Sequence, residues 1–329
     1  MTGAPVPACP SARRDQLAPD FFVVGSVRTG STLLRLMLGH HPRVCRCDEM
    51  EYLVPGIEMQ SAGRPIEEYR DFLRYDRIFQ LSGFDVPGGA DLRELGDDLF
   101  RQLAERNPDC DIAGATVHND FAHLASIWPQ AKFIFLDRDP RDVAFSVMNL
   151  GWAGTGWYAA QFWVRAKANW ERVCAATAPG QRLEIRFEDL VAAPEPVLHK
   201  VCDFLDIAFS PAMLEIERDT TYRRPSARAA ASWEQRGRQR DIAEVETRIG
   251  RDRIAAAGYP LSDYPDVDSG ALAMAGFALR DLWHRTRYRI RQYGLYLWLA
   301  SALSKRSGSQ AWRRSVQLRL DAIDNAHLK

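Results

Sequence analysis

The sequence predicts an α/β protein, a three-layer sandwich with helices on both faces of a central parallel sheet. Two apolar runs carry that prediction: Phe21-Phe22-Val23-Val24, ended by Gly25, and Phe133-Ile134-Phe135-Leu136, ended by Asp137 and Pro140. Runs without polar alternation read as strands buried on both faces, the pattern of parallel sheets. The third observation is that segments of helical periodicity separate these runs, as a parallel sheet with crossover helices requires.

The elements follow in order. Residues 1–19 are rich in Pro, Ala and Arg and read as a loose leader. After the first strand, Leu33, Leu34, Leu36, Met37 and Leu38 have helical spacing, and His40-His41-Pro42 stops the helix. Residues 55–110 are more polar, with helical stretches around 66–80 and 91–106, and read as an insertion between elements of a core that runs from 20 to 265. A helix near 121–128 precedes the second strand, Lys132 to Asp137. Helices at 141–149 and 158–176, a third strand at Leu183 to Phe187 and a helix at 194–205 complete the core. In residues 266–329, arginines 280, 285, 287, 289 and 291 interleave with Trp283, Tyr288, Tyr293, Tyr296 and Trp298. Two readings of this helical tail stand: packing on the domain, or peripheral contact with an anionic membrane face. Its apolar run, Leu295 to Leu303, is far shorter than the roughly 20 residues that cross a bilayer.

Composition narrows the function classes. A formal net charge of zero gives no argument for nucleic acid as partner. The cations are nearly all Arg, whose planar fork matches phosphate and sulfate oxygens. Six cysteines without a CxxC spacing read as free thiols; Cys45 and Cys47, if on a strand, share a face, and no further ligands for a metal stand beside them. With no secretory signal apparent, the expected location is cytoplasmic, with the tail allowing a peripheral place at the inner membrane face.

The turn after the first strand is Gly25-Ser26-Val27-Arg28-Thr29-Gly30-Ser31-Thr32. A glycine turn opening a helix presents backbone N–H groups and the positive end of the helix dipole, which suits an anion. The glycine spacing is that of GxxxxGK[ST], so the fold class is a P-loop-type sandwich. Ser31, however, stands where the lysine should be, and the charge lies within the loop at Arg28. The loop therefore lacks the group that NTPases place on the β- and γ-phosphates. A second anion site is suggested by Arg138, at the end of the second strand, and Ser146, eight residues on along the next helix. Asp137 keeps a rival open, because an apolar strand ending in Asp is also how NTPases hold magnesium.

Together these residues resemble the sulfotransferases that use 3′-phosphoadenosine 5′-phosphosulfate (PAPS). Val27 to Leu34 looks like the family's 5′-phosphosulfate loop, and the pair Arg138 and Ser146 looks like its 3′-phosphate site. The likeness is greatest to the protein-tyrosine sulfotransferases and their bacterial relatives. It runs through Leu33-Leu34-Arg35, Met37-Leu38, His41-Pro42 and Cys47-Asp48-Glu49, then Arg186-Phe187-Glu188-Asp189-Leu190, Pro194, Cys202-Asp203-Phe204-Leu205, Trp233 and Gly258-Tyr259. It covers about residues 21–265, with 55–110 matching poorly.

The resemblance implies donor contacts from Arg28, Thr29, Gly30, Ser31, Thr32, Leu33, Arg138 and Ser146, with Arg28 also catalytic. Arg223, Arg224 and Ser226 fall where the family closes over the donor. It maps the catalytic base to Glu49, a carboxylate able to take the acceptor's proton. The relatives' catalytic lysine is missing from Ala115-Thr116-Val117-His118-Asn119-Asp120, and His118 competes with Glu49 as base. The implied activity is sulfuryl transfer from PAPS to a hydroxyl of a carbohydrate, lipid-linked or small-molecule acceptor, without a metal. The rivals are a P-loop kinase using ATP and magnesium, and a non-catalytic nucleotide-binding or membrane-associated module.

Overall fold

The computed structural model describes residues 18–216 and 232–327. These fall into two compact units, 18–139 with 164–216, and 140–163 with 232–327.

The first unit holds the sheet. Its strands are β1 (Phe21–Val24), β2 (Asp48–Glu49), β3 (Gly114–Val117), β4 (Lys132–Asp137) and β5 (Arg182–Arg186), in spatial order β2-β3-β1-β4-β5. Every pairing is parallel: Phe21 lies between Gly114 and Lys132, Val24 between Val117 and Phe135, and Glu49 opposite Thr116. The sequence showed three of these strands. It missed β2, only two residues long, and β3, whose Gly114 and Ala115 have low strand propensity although the whole strand is buried.

The buried strands divide their side chains between two apolar layers. On one face Phe22, Val24, Phe133 and Phe135 join a core with α2 (Leu53–Ser61), α3 (Ile66–Leu73), α4 (Arg77–Ser82) and α5 (Leu92–Glu105). On the other, Phe21, Val23, Ile134 and Leu136 meet α1 (Ser31–Gly39), α9 (Phe187–Ala192) and α10 (Pro194–Leu205). This is the three-layer α/β sandwich. α5 begins where Asp91 accepts the Glu94 N–H at 2.9 Å. Asp76 caps α4 in the same way and divides the expected 66–80 helix in two. Residues 121–128 form a 3-10 turn followed by α6 (Leu124–Ile127).

Two of the cysteines expected to be free are bonded. Cys45 and Cys110, 65 residues apart, form a disulfide with Cα atoms 5.1 Å apart. The chain brings them together because Val44 bridges Ile112 in parallel, and Arg43 forks onto Asp111 at 2.9 and 2.7 Å. No sequence spacing reports such a contact. Nor do Cys45 and Cys47 share a face; they enter opposite cores, because the strand begins only at Asp48. Cys47 is free, and burial pushes its thiol up to about 12. Cys9 lies outside the described residues.

The second unit contains α7 (Pro140–Asn149) and the start of α8 (Gly156–Ala176), a helix that continues into the first unit. It also contains α11 (Trp233–Arg236), α12 (Gln239–Ile249), α13 (Arg251–Ala256), α14 (Ala271–Ser304) and α15 (Gln310–His327). α14 is interrupted at Gly294, which has φ 78° and ψ 160°. Its first part packs on the unit: Trp157 stacks on Phe277 with ring centroids 5.0 Å apart, and the Asp281 carboxylate accepts the Gly154 N–H at 2.7 Å. A buried ionic group ties α7 to the helices after it. Arg141 and Glu246, both at 0% exposure, pair at 2.8 Å, and the Arg141 guanidinium lies 3.6 Å from the Trp233 ring centroid. Arg251 at 2.7 Å, the Ser262 hydroxyl at 2.9 Å and the Ser262 N–H at 3.0 Å complete the shell of the Glu246 carboxylate. Ser232 donates to Asp142 at 2.8 Å.

Candidate active site

The turn from Gly25 to Thr32 leaves the carboxyl end of β1. That strand lies between β3 on one side and β4 on the other, where open α/β sheets place their ligands. The two glycines are demanded sterically. A Cβ on Gly25, at φ 151°, would meet the Leu136 carbonyl oxygen at 2.4 Å. A Cβ on Gly30, at φ 93°, would meet the Phe187 ring at 2.3 Å. Arg28 also has positive φ, at 68°, an uncommon conformation for a side chain of its size. Thr29 braces the turn by donating to the Ser26 carbonyl at 2.8 Å. Gly30 is the N-cap of α1 and has no side chain to occupy that helix's first amides. The Ser26 hydroxyl oxygen is buried without a hydrogen-bond partner among the described residues, an orphan that an anion in the loop would satisfy.

Arg138 follows β4 and reaches across to this turn. Its guanidinium donates to the Arg28 carbonyl at 3.0 Å and lies 4.4 Å from the Phe187 ring centroid. Gly30 thus abuts the Phe187 ring, and the Arg138 guanidinium lies against the same ring. Gly30→Ala is therefore expected to push Phe187 aside and to cost about 1–3 kcal/mol, read by urea unfolding. A cost near zero would mean that the ring does not bear on the turn.

His118 leaves the carboxyl end of β3 beside the same turn. Its Nδ1 lies 3.2 Å from the Gly25 carbonyl oxygen, and its Nε2 lies 3.3 Å from the Ser31 hydroxyl. A carbonyl only accepts, so in the neutral ring Nδ1 carries the hydrogen and Nε2 receives that of Ser31. Glu51 holds this corner: its carboxylate accepts the His118 and Asn119 backbone N–H groups, each at 2.8 Å, and the Asn119 side-chain amide. Glu51, two residues after Glu49, carries no sequence signal of this role. Glu49 is half-buried on β2, at the carboxyl end of the strand neighbouring β3.

Asp137, the residue that kept a magnesium site open, is paired with Lys167 at 2.7 Å, and Lys167 also reaches Glu184 at 2.8 Å. Burial holds the Asp137 carboxyl above its ordinary range even with the ammonium beside it. Ser146 lies on α7 in the second unit, half-buried. Arg223, Arg224 and Ser226 lie outside the described residues. Thr29, Gly30, Ser31, Thr32 and Leu33 are contiguous from the turn into α1, and Leu33 is fully buried.

Known proteins resemble this chain in sequence and fold. A protein-tyrosine sulfotransferase of Drosophila melanogaster is 26% identical over 208 residues, 60% of this chain and 40% of its own length. Protein-tyrosine sulfotransferase 1 of Danio rerio is 28% identical over 209 residues, 60% of this chain and 56% of its own. This chain thus spans about half the length of the curated relatives it matches. The solved sulfotransferase domain from the curacin biosynthetic pathway shares its fold, with a TM-score of 0.50 and 20% identity, covering 75% of this chain and all of that domain. The model of the sulfotransferase family matches residues 19–211, a span that contains the turn, Glu49, His118, Arg138 and Ser146. The chain belongs to the sulfotransferase family.

Proposed function

We propose that this protein transfers a sulfuryl group from PAPS to an acceptor hydroxyl. The observation that carries the proposal is the link between the two arginines. Arg138 is hydrogen-bonded to the backbone of Arg28, inside a phosphate-type turn that has no lysine. Two guanidinium groups at one turn suit a donor with phosphates at both its 3′ and 5′ positions.

The turn's amides and Arg28 hold the 5′-phosphosulfate, with Thr29, Gly30, Ser31, Thr32 and Leu33 forming the cradle. Arg138 holds the 3′-phosphate. The parts of Ser146 and of Arg223, Arg224 and Ser226 in donor binding rest on sequence alone. In the reaction the acceptor oxygen attacks sulfur while the bond from sulfur to the bridging oxygen breaks. The acceptor's proton passes to Glu49, and the electron pair leaves with the phosphate, whose growing charge Arg28 stabilises. His118, held between Gly25 and Ser31, fixes the turn beside the departing oxygens. No step in this scheme calls for a metal ion. The acceptor side is assigned to residues 55–110 and the class to carbohydrate, lipid-linked or small-molecule hydroxyls.

Among the described residues no helix is long and apolar enough to cross a membrane. A cytoplasmic site, peripheral at an inner membrane face through residues 266–329, is the reading its sequence suggests. The Cys45–Cys110 bond, of a kind that persists in oxidising compartments, weighs against a reducing one.

The reaction itself supplies the test. With a panel of phenols, sugars and lipid alcohols, PAPS is expected to yield adenosine 3′,5′-bisphosphate in the presence of a chelator, and Arg28→Ala is expected to abolish the yield. Magnesium-dependent consumption of ATP with PAPS untouched would sink the reading in favour of a kinase.

A further inference from the structure

We propose that α14 beyond Gly294, with the cations on either side of it, is a docking surface for an anionic lipid membrane. The helix from Leu295 to Ser304 is about 15 Å long and has two apolar sides. One is used: Leu297 and Ala300 pack against Val316 and Leu320 of α15, and the Tyr293 hydroxyl donates to Asp324 at 2.8 Å. The other is uncovered. Leu295, Leu299 and Leu303 recur every fourth residue with Tyr296 beside them, at 57, 44, 54 and 72% exposure. Single exposed leucines are ordinary, but an unbroken arc of them marks a contact surface.

Charge identifies what covers it. From residue 282 to 320 the chain carries nine Lys and Arg and no Asp or Glu, although its formal net charge is zero. Arg287, Arg289 and Arg291 precede the leucine arc, and Lys305 and Arg306 follow it. Uncovered leucines and an aromatic ring, with cations before and after them in the chain, supply the apolar contact and the charge attraction that an anionic interface takes up. A second copy of this chain fits worse, because a symmetric contact would bring two such cationic segments together. Nucleic acid would meet the cations but leave the leucines in water. The surface presents the protein to a membrane without crossing it.

The docking does not depend on the sulfuryl-transfer reading, and bisphosphate binding in the same samples reports on that reading separately. The test is flotation of the full chain with phosphatidylcholine vesicles made with and without phosphatidylglycerol, at low and high salt. The protein is expected to float with the anionic vesicles only, and less at high salt. Leu295→Glu with Leu299→Glu is expected to lower partitioning about tenfold or more. Arg289→Gln with Arg291→Gln is expected to lower it about fivefold for each charge removed. The arginine pair is exposed, so it keeps the test decisive if the leucine variant folds poorly by circular dichroism. Absence of flotation at low salt, or flotation that ignores both variants, overturns the proposal. So does a dimer in sedimentation that the leucine change dissolves without any vesicle binding. Binding to duplex DNA in place of vesicles does the same.

Discussion

Glu49→Gln is expected to lower turnover by about two to four orders of magnitude while leaving affinity for adenosine 3′,5′-bisphosphate nearly unchanged. The amide keeps the shape of the side chain but cannot accept a proton, and Glu49 stands on β2 rather than on the turn from Gly25 to Thr32. His118→Ala should behave differently. Its ring joins the Gly25 carbonyl to the Ser31 hydroxyl, so its loss loosens the turn and weakens bisphosphate binding as well as slowing turnover. Measuring both constants for both variants separates the roles. If His118→Ala lost only turnover and Glu49→Gln lost little, the base would be His118.

Glu246→Ala is expected to cost about 3–5 kcal/mol of stability, because it takes away the buried carboxylate that pairs with Arg141 at 2.8 Å and with Arg251 at 2.7 Å. The cation–π contact with Trp233 cannot replace a carboxylate that takes four hydrogen bonds. Urea unfolding gives the number. A double replacement, Arg141→Met with Glu246→Leu, should recover much of the loss, since it removes both charges of the buried pair together. A cost below about 1 kcal/mol for Glu246→Ala would mean that water reaches Arg141 when the carboxylate is gone.

The parts legible in the sequence share one property: they are local. Phe21 to Val24 and Phe133 to Leu136 announce buried strands by unbroken apolarity, and Gly25 to Thr32 announces the turn from β1 into α1 by its glycines. Arg138 stands out because it follows such a strand. What escaped depends on pairing across distance. β2 is two residues long and exists only because β3 lies beside it. The Cys45–Cys110 bond, the Glu51 clamp on His118 and the Glu246 centre join residues 65, 67 and 105 apart. Nothing in the spacing of an isolated Cys or Glu reports such a partner. The contact of the Phe187 ring with Gly30 and Arg138 is of the same kind: each residue was noticed, but their meeting in space was not.

The most direct measurement of the central claim is calorimetric titration with adenosine 3′,5′-bisphosphate, set against ATP with magnesium, on the wild type and Arg138→Ala. The account predicts bisphosphate binding that needs no metal and is lost in the variant. Binding of ATP with magnesium, with indifference to the bisphosphate, would contradict it.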